Sequence, residues 1–128
     1  MLAVRGGEVM TMGPRQRYQG GAILVEDGKI VALGPSVVVP AGVETIDATG
    51  MVVTPGLIDA HTHLGLWVLG MGEVGKEHNE ETDPLTPHLR ASDGLYGRDE
   101  NWALALRGGV TTVLTGPGAS NVVGGQSV

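Results

Sequence analysis

Two histidines separated by one residue are the strongest chemical feature of this sequence. His61 and His63 end an apolar run that is entered through Pro55 and Gly56. In a β-strand, residues two apart point to the same face, with their Cα atoms roughly 6.6 Å apart. Both imidazoles can therefore converge on one metal ion with Zn–N bonds of about 2.0–2.1 Å. Asp59 falls on the same predicted face, one pleat earlier.

Two neighbouring histidines can also be surface residues or satisfied core groups that bind no metal. The context favours metal ligands, since the pair closes an apolar strand and is followed by a Gly-rich loop, where rigid scaffolds commonly place catalytic groups. A long polar loop follows over residues 76–99, either as an active-site loop or as a solvated excursion. We expect its histidines, His78 and His88, to be loop residues and not ligands.

Composition excludes several classes of protein. The chain has 128 residues, 41% of them hydrophobic, and this composition indicates a globular protein. The net charge of −6 and the lack of a basic stripe argue against a nucleic-acid partner. The sequence has no cysteine, which excludes disulfides and Cys-based zinc sites. Neither a signal peptide nor an apolar stretch of about 20 residues is found, so we expect a cytoplasmic protein with no membrane contact.

The first part of the chain, residues 1–54, alternates short apolar runs with turn residues. Asp27-Gly28 between residues 22–25 and 30–33 predicts a β-hairpin with a type I′ turn. Residues 37–39 could extend a strand until Pro40 ends it, and Glu44–Asp47 predicts another short strand. This spacing is typical of a small antiparallel sheet or of half a β-sandwich.

The second part, residues 55–128, has an α/β pattern. The histidine strand and the long loop are followed by a helix, which begins at Asp99 and ends before Gly108-Gly109. Residues 110–115 then form a β-branched strand. Strand, helix and strand predict a parallel pair with a crossover connection. One such unit falls short of a stable α/β layer, so we expect these 128 residues to be the front portion of a larger protein.

Several motifs together resemble the amidohydrolase superfamily of metal-dependent hydrolases, which includes imidazolonepropionases, dihydroorotases and hydantoinases. The resemblance is strongest in the stretch Pro-Gly-Leu-Ile-Asp-Ala-His-Thr-His over residues 55–63. Residues 23–30 with Gly34, residues 46–50 and residues 109–113 fit the same pattern. Residues 117–126 are most similar to the imidazolonepropionase-like branch.

The resemblance implies a (β/α)8 barrel, incomplete in this chain, preceded by strands of a small composite β-sandwich. It implies that His61 and His63 bind a divalent metal, most readily Zn2+, although imidazole also accepts Fe and Ni. Asp59 would support the ligands, and the general base would lie on a later strand, so no catalytic residue is expected within this chain. The metal would activate water to hydrolyse carbon–nitrogen bonds other than peptide bonds, in cyclic amides or amidines.

The expected partners are a small-molecule substrate and the remaining barrel strands, which belong to the rest of the chain or to a second polypeptide. A homo-oligomer is compatible with the sequence. Because two histidines fall short of the three protein ligands of a catalytic zinc site, we expect the chain alone to be inactive. The competing hypotheses are a non-catalytic, stand-alone interaction module and a remnant that has lost its catalytic function.

Overall fold

The structure is a computed structural model that describes residues 1–14 and 17–128. Within the described residues the chain forms two compact units, Met1–Pro55 and Gly56–Val128. Across those residues, every helix is too short or too polar to cross a membrane.

The first unit consists of strands and turns. Its described residues, 1–14 and 17–55, contain the strands β1 (Leu2–Arg5), β2 (Glu8–Met10), β3 (Arg17–Gln19), β4 (Ala22–Glu26), β5 (Lys29–Gly34), β6 (Glu44–Asp47) and β7 (Val52–Val53).

These strands form two mixed sheets, so of the two predicted arrangements the small antiparallel sheet is wrong, and the half β-sandwich stays a prediction. One sheet has the order β5-β4-β1-β6 and the other the order β3-β2-β7. The β1–β4, β4–β5 and β2–β3 pairs are antiparallel, whereas β1 pairs with β6 and β2 with β7 in parallel. The parallel partners both come from residues 44–53: β6 lies beside β1 in one sheet, and β7 lies beside β2 in the other.

The hairpin prediction is confirmed in β4 and β5. Asp27 and Gly28 have φ angles of 49° and 73°, as a type I′ turn requires at both central positions. The predicted strand over residues 37–39 is wrong, because β5 ends at Gly34 and the chain continues through a turn into irregular backbone. Pro40 cannot donate a ladder hydrogen bond, which makes this β-branched segment a poor strand.

The apolar interior of the first unit lies between side chains of both sheets. Small and aliphatic residues are buried there, including Ala3, Val9, Ala22, Ile23 and Leu24. A cavity of about 140 Å³ is lined by residues of both sheets, among them Val9, Ile23 and Val53. These side chains are apolar, which agrees with a structural role for this unit.

The second unit contains the histidine pair and the crossover connection. Its elements are β8 (Leu57–Thr62), a short 3-10 helix (Gly72–Gly75), α1 (Ala91–Gly94), α2 (Glu100–Arg107) and β9 (Val110–Thr115). The predicted helix and final strand are confirmed in α2 and β9. The apolar run that carries the histidines is divided, because Val52–Val53 belongs to a sheet of the first unit and β8 starts only at Leu57.

Strands β8 and β9 form the predicted parallel pair. Their register joins Leu57 to Val110 and Thr62 to Thr115, with two shifts between these ends. Helix α2 provides the crossover, and its N-cap Asp99 accepts a hydrogen bond from the Asn101 amide. This unit shows one β-α-β crossover, while the full barrel and the sandwich stay predictions.

Candidate metal centre

The structure places the two histidines at the carboxyl end of β8. His61 is inside the strand and His63 directly follows its last residue, Thr62. Their ring centroids are 5.4 Å apart, with an interplanar angle of 75°. If each ligating nitrogen lies about 2.0–2.1 Å from a tetrahedral ion, the centroids of two imidazoles on that ion are roughly 5 Å apart. The separation of the two rings is therefore compatible with a shared metal ion.

A backbone carbonyl sets the protonation pattern of one ring. The His63 Nδ1 atom lies 2.7 Å from the carbonyl oxygen of Gly116, at the end of β9. Because a carbonyl oxygen only accepts hydrogen bonds, Nδ1 carries a proton, and in the neutral tautomer with this bond the lone pair is on Nε2. Metal-binding histidines commonly donate their second ring nitrogen to such an acceptor, which fixes the orientation of the ring.

The end of β9 also holds the backbone on both sides of His63. The Gly116 amide donates to the Thr62 carbonyl over 3.0 Å. The Thr115 hydroxyl donates to the Leu64 carbonyl over 2.8 Å. The Thr115 side chain is only 2% exposed, so this hydroxyl is shielded from competing water. With the bond to the ring, three hydrogen bonds from two residues fix His63 against β9.

A buried carboxylate fixes the loop that leaves the histidine pair. Asp99 is 4% exposed and accepts hydrogen bonds from the Gly65 amide, over 3.4 Å, and from the Asn101 amide, over 3.1 Å. The second of these bonds caps α2, where a negative charge is favourable beside the helix N-terminus. Asp99 thus connects the start of the crossover helix to the backbone two residues after His63.

Asp59 lies next to the pair but faces the strand backbone. Its Oδ1 accepts a hydrogen bond from the His61 amide over 3.1 Å. The carboxylate is therefore positioned by its own strand, and its predicted support of the metal ligands stays a prediction. Across residues 1–14 and 17–128, no three histidine or carboxylate side chains are arranged to hold one ion together.

His78 is close to the pair, which the sequence did not predict. Its ring centroid lies 5.5 Å from that of His63 and 4.9 Å from the Trp67 ring, on which it stacks at 9°. The chain returns to this position through an antiparallel bridge between Trp67 and Lys76. In the sequence, the glycines and the tryptophan within residues 65–75 are the feature that could have indicated that the chain turns back toward the histidine pair. His88 is exposed on the loop, in the manner predicted for both residues.

The environment of His78 favours its neutral form. Burial is the largest cause that lowers the pKa of this imidazole, followed by the nearby His63 and Lys76. A low dielectric and neighbouring positive charge both disfavour the imidazolium. His78 is therefore held as a neutral ring beside the histidine pair.

The donor set fits part of a transition-metal site. Two neutral imidazoles suit Zn, Fe and Ni, and one ring already has its second nitrogen anchored. For His61, the described residues provide no hydrogen bond to the ring, so both of its nitrogens are available. The pair supplies two ligands, whereas a catalytic zinc site ordinarily uses three protein ligands and water.

Comparisons with known proteins give a consistent set of relatives. No family model matches the chain. An amidohydrolase from Hapsidospora irregularis is 36% identical over 110 residues, which are 84% of this chain and 11% of the relative. A 5-methylthioadenosine/S-adenosylhomocysteine deaminase from Symbiobacterium thermophilum is 33% identical over 88% of this chain and 28% of its own length. A dihydroorotase from Streptococcus pneumoniae is 40% identical over 75% of this chain and 20% of its own length.

Solved structures agree with these sequences. An amidohydrolase from Thermotoga maritima superposes with a TM-score of 0.82 at 37% identity, over 99% of this chain and 32% of that structure. An atrazine chlorohydrolase variant from Arthrobacter aurescens, complexed with zinc and atraton, superposes with a TM-score of 0.56 at 25% identity, over 90% of this chain and 28% of that structure. The chain thus spans less than a third of each relative. It belongs to the amidohydrolase superfamily and corresponds to a small part of the proteins that it matches.

Proposed function

We propose that His61 and His63 bind a divalent metal ion in a hydrolase that acts on carbon–nitrogen bonds other than peptide bonds. The observation that carries the proposal is the hydrogen bond between His63 Nδ1 and the Gly116 carbonyl. It leaves Nε2 of His63 as a lone-pair donor, on a ring that lies 5.4 Å from the His61 ring. One ring nitrogen held by a backbone carbonyl and the other free is the usual arrangement of a metal-binding histidine.

The names of the relatives support the reaction class. Amidohydrolase and deaminase both describe cleavage of a carbon–nitrogen bond, and zinc is present in the related chlorohydrolase structure. We assign Zn2+ as the preferred ion, with Fe and Ni as the other metals that imidazole accepts. When bound, such an ion lowers the pKa of a water molecule and polarises the scissile carbonyl or amidine. Cyclic amides or amidines are the proposed substrates.

The residues of this chain position two metal ligands but do not supply the third ligand or the general base. Gly116 and Thr115 orient His63, and Asp59 holds the backbone at His61. We place the further metal ligands and the general base outside these 128 residues, in the same polypeptide or in a second one. The proposed partner of the completed site is a small molecule, with no nucleic acid, and the proposed location is the cytoplasm.

Metal binding by the protein tests the assignment without requiring turnover. Metal-free protein is titrated with Co2+, and the absorption of the bound ion reports the ligand field. His61→Ala and His63→Ala should each weaken Co2+ binding by at least about tenfold, since each removes one ligand. His88→Ala, on the exposed loop, is the matched control and should bind as the wild type does. Equal Co2+ binding by the wild type and both ligand variants would contradict the proposal.

A further inference from the structure

We propose that His78 and Asn79 form a polar subsite beside the histidine pair, which binds a neutral, N–H-bearing part of the substrate. This inference rests on the proposed function, because it names the ligand class of the same site. Four observations carry it: the fixed position of His78, two buried polar atoms without partners, the adjoining cavities, and the charges around them.

His78 is held in place from several sides. Its ring stacks on Trp67 with a centroid separation of 4.9 Å. Its carbonyl accepts a hydrogen bond of 2.6 Å from the Gly118 amide. A Cβ atom at Gly118 would lie 3.0 Å from His78 Cδ2 and would collide with Asn79 Oδ1, so glycine permits this close approach. The ring therefore occupies a defined position before any ligand binds.

Two polar atoms at this position have no partner. His78 Nδ1 and Asn79 Oδ1 are both buried, and within the described residues neither makes a hydrogen bond. An unsatisfied buried polar atom costs about 1–3 kcal/mol, so native proteins rarely retain one without a function or an ordered molecule bound to it. A bound ligand or an ordered water would satisfy these two atoms.

The two residues line the space that such a molecule would occupy. A cavity of about 250 Å³ is bordered by His78 and Asn79 together with Pro117 and Asn121. A more open cavity of about 630 Å³ shares His78 and Asn79 and extends to Trp67 and Lys76. His63 lies 5.5 Å from His78, between ring centroids, so a ligand in contact with His78 is also near the histidine pair.

The surrounding charges select a neutral ligand. Among the described residues, the two cations that border these cavities are already paired, Lys76 with Glu73 at 2.6 Å and Arg90 with Asp93 at 3.0 Å. Carboxylates of residues 77, 80 and 81 also border them. An anionic group would meet uncompensated negative charge there, whereas an N–H group can donate to Asn79 Oδ1. The unpartnered Nδ1 of His78 provides a second hydrogen-bonding atom for an adjacent amide or urea group.

The test compares two cyclic ureas, one neutral and one that carries an added carboxylate group. Metal-free protein is titrated by NMR with 2-imidazolidinone, a neutral cyclic urea, and with 2-oxoimidazolidine-4-carboxylate. The neutral compound should bind, and the carboxylate should bind at least about fivefold more weakly. His78→Phe keeps an aromatic ring on Trp67 but removes both nitrogens, and it should raise the Kd of the neutral compound by about five- to tenfold, as expected for one lost hydrogen bond. His88→Phe should leave the Kd unchanged.

Asn79→Leu provides a second variant that should raise the same Kd, and its folding does not depend on the Trp67 stack. Equal Kd values in the wild type and in the folded variants would overturn the subsite, as would equal binding of the carboxylate. The absence of any binding to the wild type would overturn it too and would leave an ordered water as the partner of both atoms. These titrations use no metal, so their failure is separable from a failure of His61 and His63 to bind Co2+.

Discussion

The hydroxyl of Thr115 provides the sharpest test of how the fold positions His63. Replacing it in Thr115→Val substitutes a methyl group of similar size for the hydroxyl, which donates to the Leu64 carbonyl over 2.8 Å. Because the side chain is 2% exposed, water cannot replace the lost donor. The Leu64 carbonyl then loses its partner, at a cost of about 1–3 kcal/mol in the free energy of unfolding. Thr115→Ser keeps the donor and loses only a buried methyl group, about 1 kcal/mol.

Tryptophan fluorescence follows this change in the second unit alone, because both tryptophans of the sequence, Trp67 and Trp102, lie within Gly56–Val128. Thr115→Val should lower the urea midpoint by on the order of 1 M at an unchanged m-value. It should also weaken Co2+ binding, since the backbone after His63 is no longer fixed, while Thr115→Ser should retain the wild-type affinity. The reasoning is refuted if Thr115→Val is as stable as the wild type, or if the serine variant loses as much Co2+ affinity as the valine variant.

Two further changes probe contacts in the two units. Asp99→Ala removes the cap of α2 and the acceptor of the Gly65 amide. Thermal denaturation should therefore show that the free energy of unfolding falls by about 1–3 kcal/mol. Asn101→Ala keeps the cap carboxylate and is the control, for which we expect a smaller loss. Hydrogen bonds from the Thr49 side chain and amide lower the pKa of the Asp47 carboxyl, so its stabilising effect is present above the usual Asp range and is lost as the pH falls through the folded pKa. In Thr49→Val an NMR titration of Asp47 should move its midpoint upward, and an unchanged midpoint would contradict this assignment.

Local chemistry made much of the fold predictable. Asp27 and Gly28 can both adopt positive φ angles, and the turn between β4 and β5 follows from that property alone. Asp99 and the glycines after Arg107 similarly defined both ends of α2. The alternation of strand residues brought His61 and His63 to the same end of β8. Each of these features depends on residues that are close in sequence, within a single turn, helix or strand.

The features that sequence reasoning missed depend on distant partners. β-branched residues at 37–39 are typical of a strand, but β5 ends at Gly34 and the turn that follows carries the chain out of the sheet. The parallel pairing of β1 with β6 joins segments about 40 residues apart. No periodic pattern in the sequence connects His78 to His63, so the sequence predicts only a loop residue at position 78. Its position depends on the Trp67 stack and on the Gly118 amide, which is 40 residues further along the chain.

The same distinction applies within the metal centre itself. The spacing of His61 and His63 determines only that the two rings share one end of a strand. Which nitrogen of His63 is free depends on Gly116, a residue 53 positions away that reaches the ring only when β8 and β9 pair in parallel. If His61 and His63 bind a metal ion as proposed, the ion binds the folded form, in which both rings are already oriented, more tightly than the unfolded chain, and it stabilises that form by mass action. Under this proposal a substitution that disturbs the end of β9 should weaken metal binding without removing a ligand, because the Gly116 carbonyl orients His63.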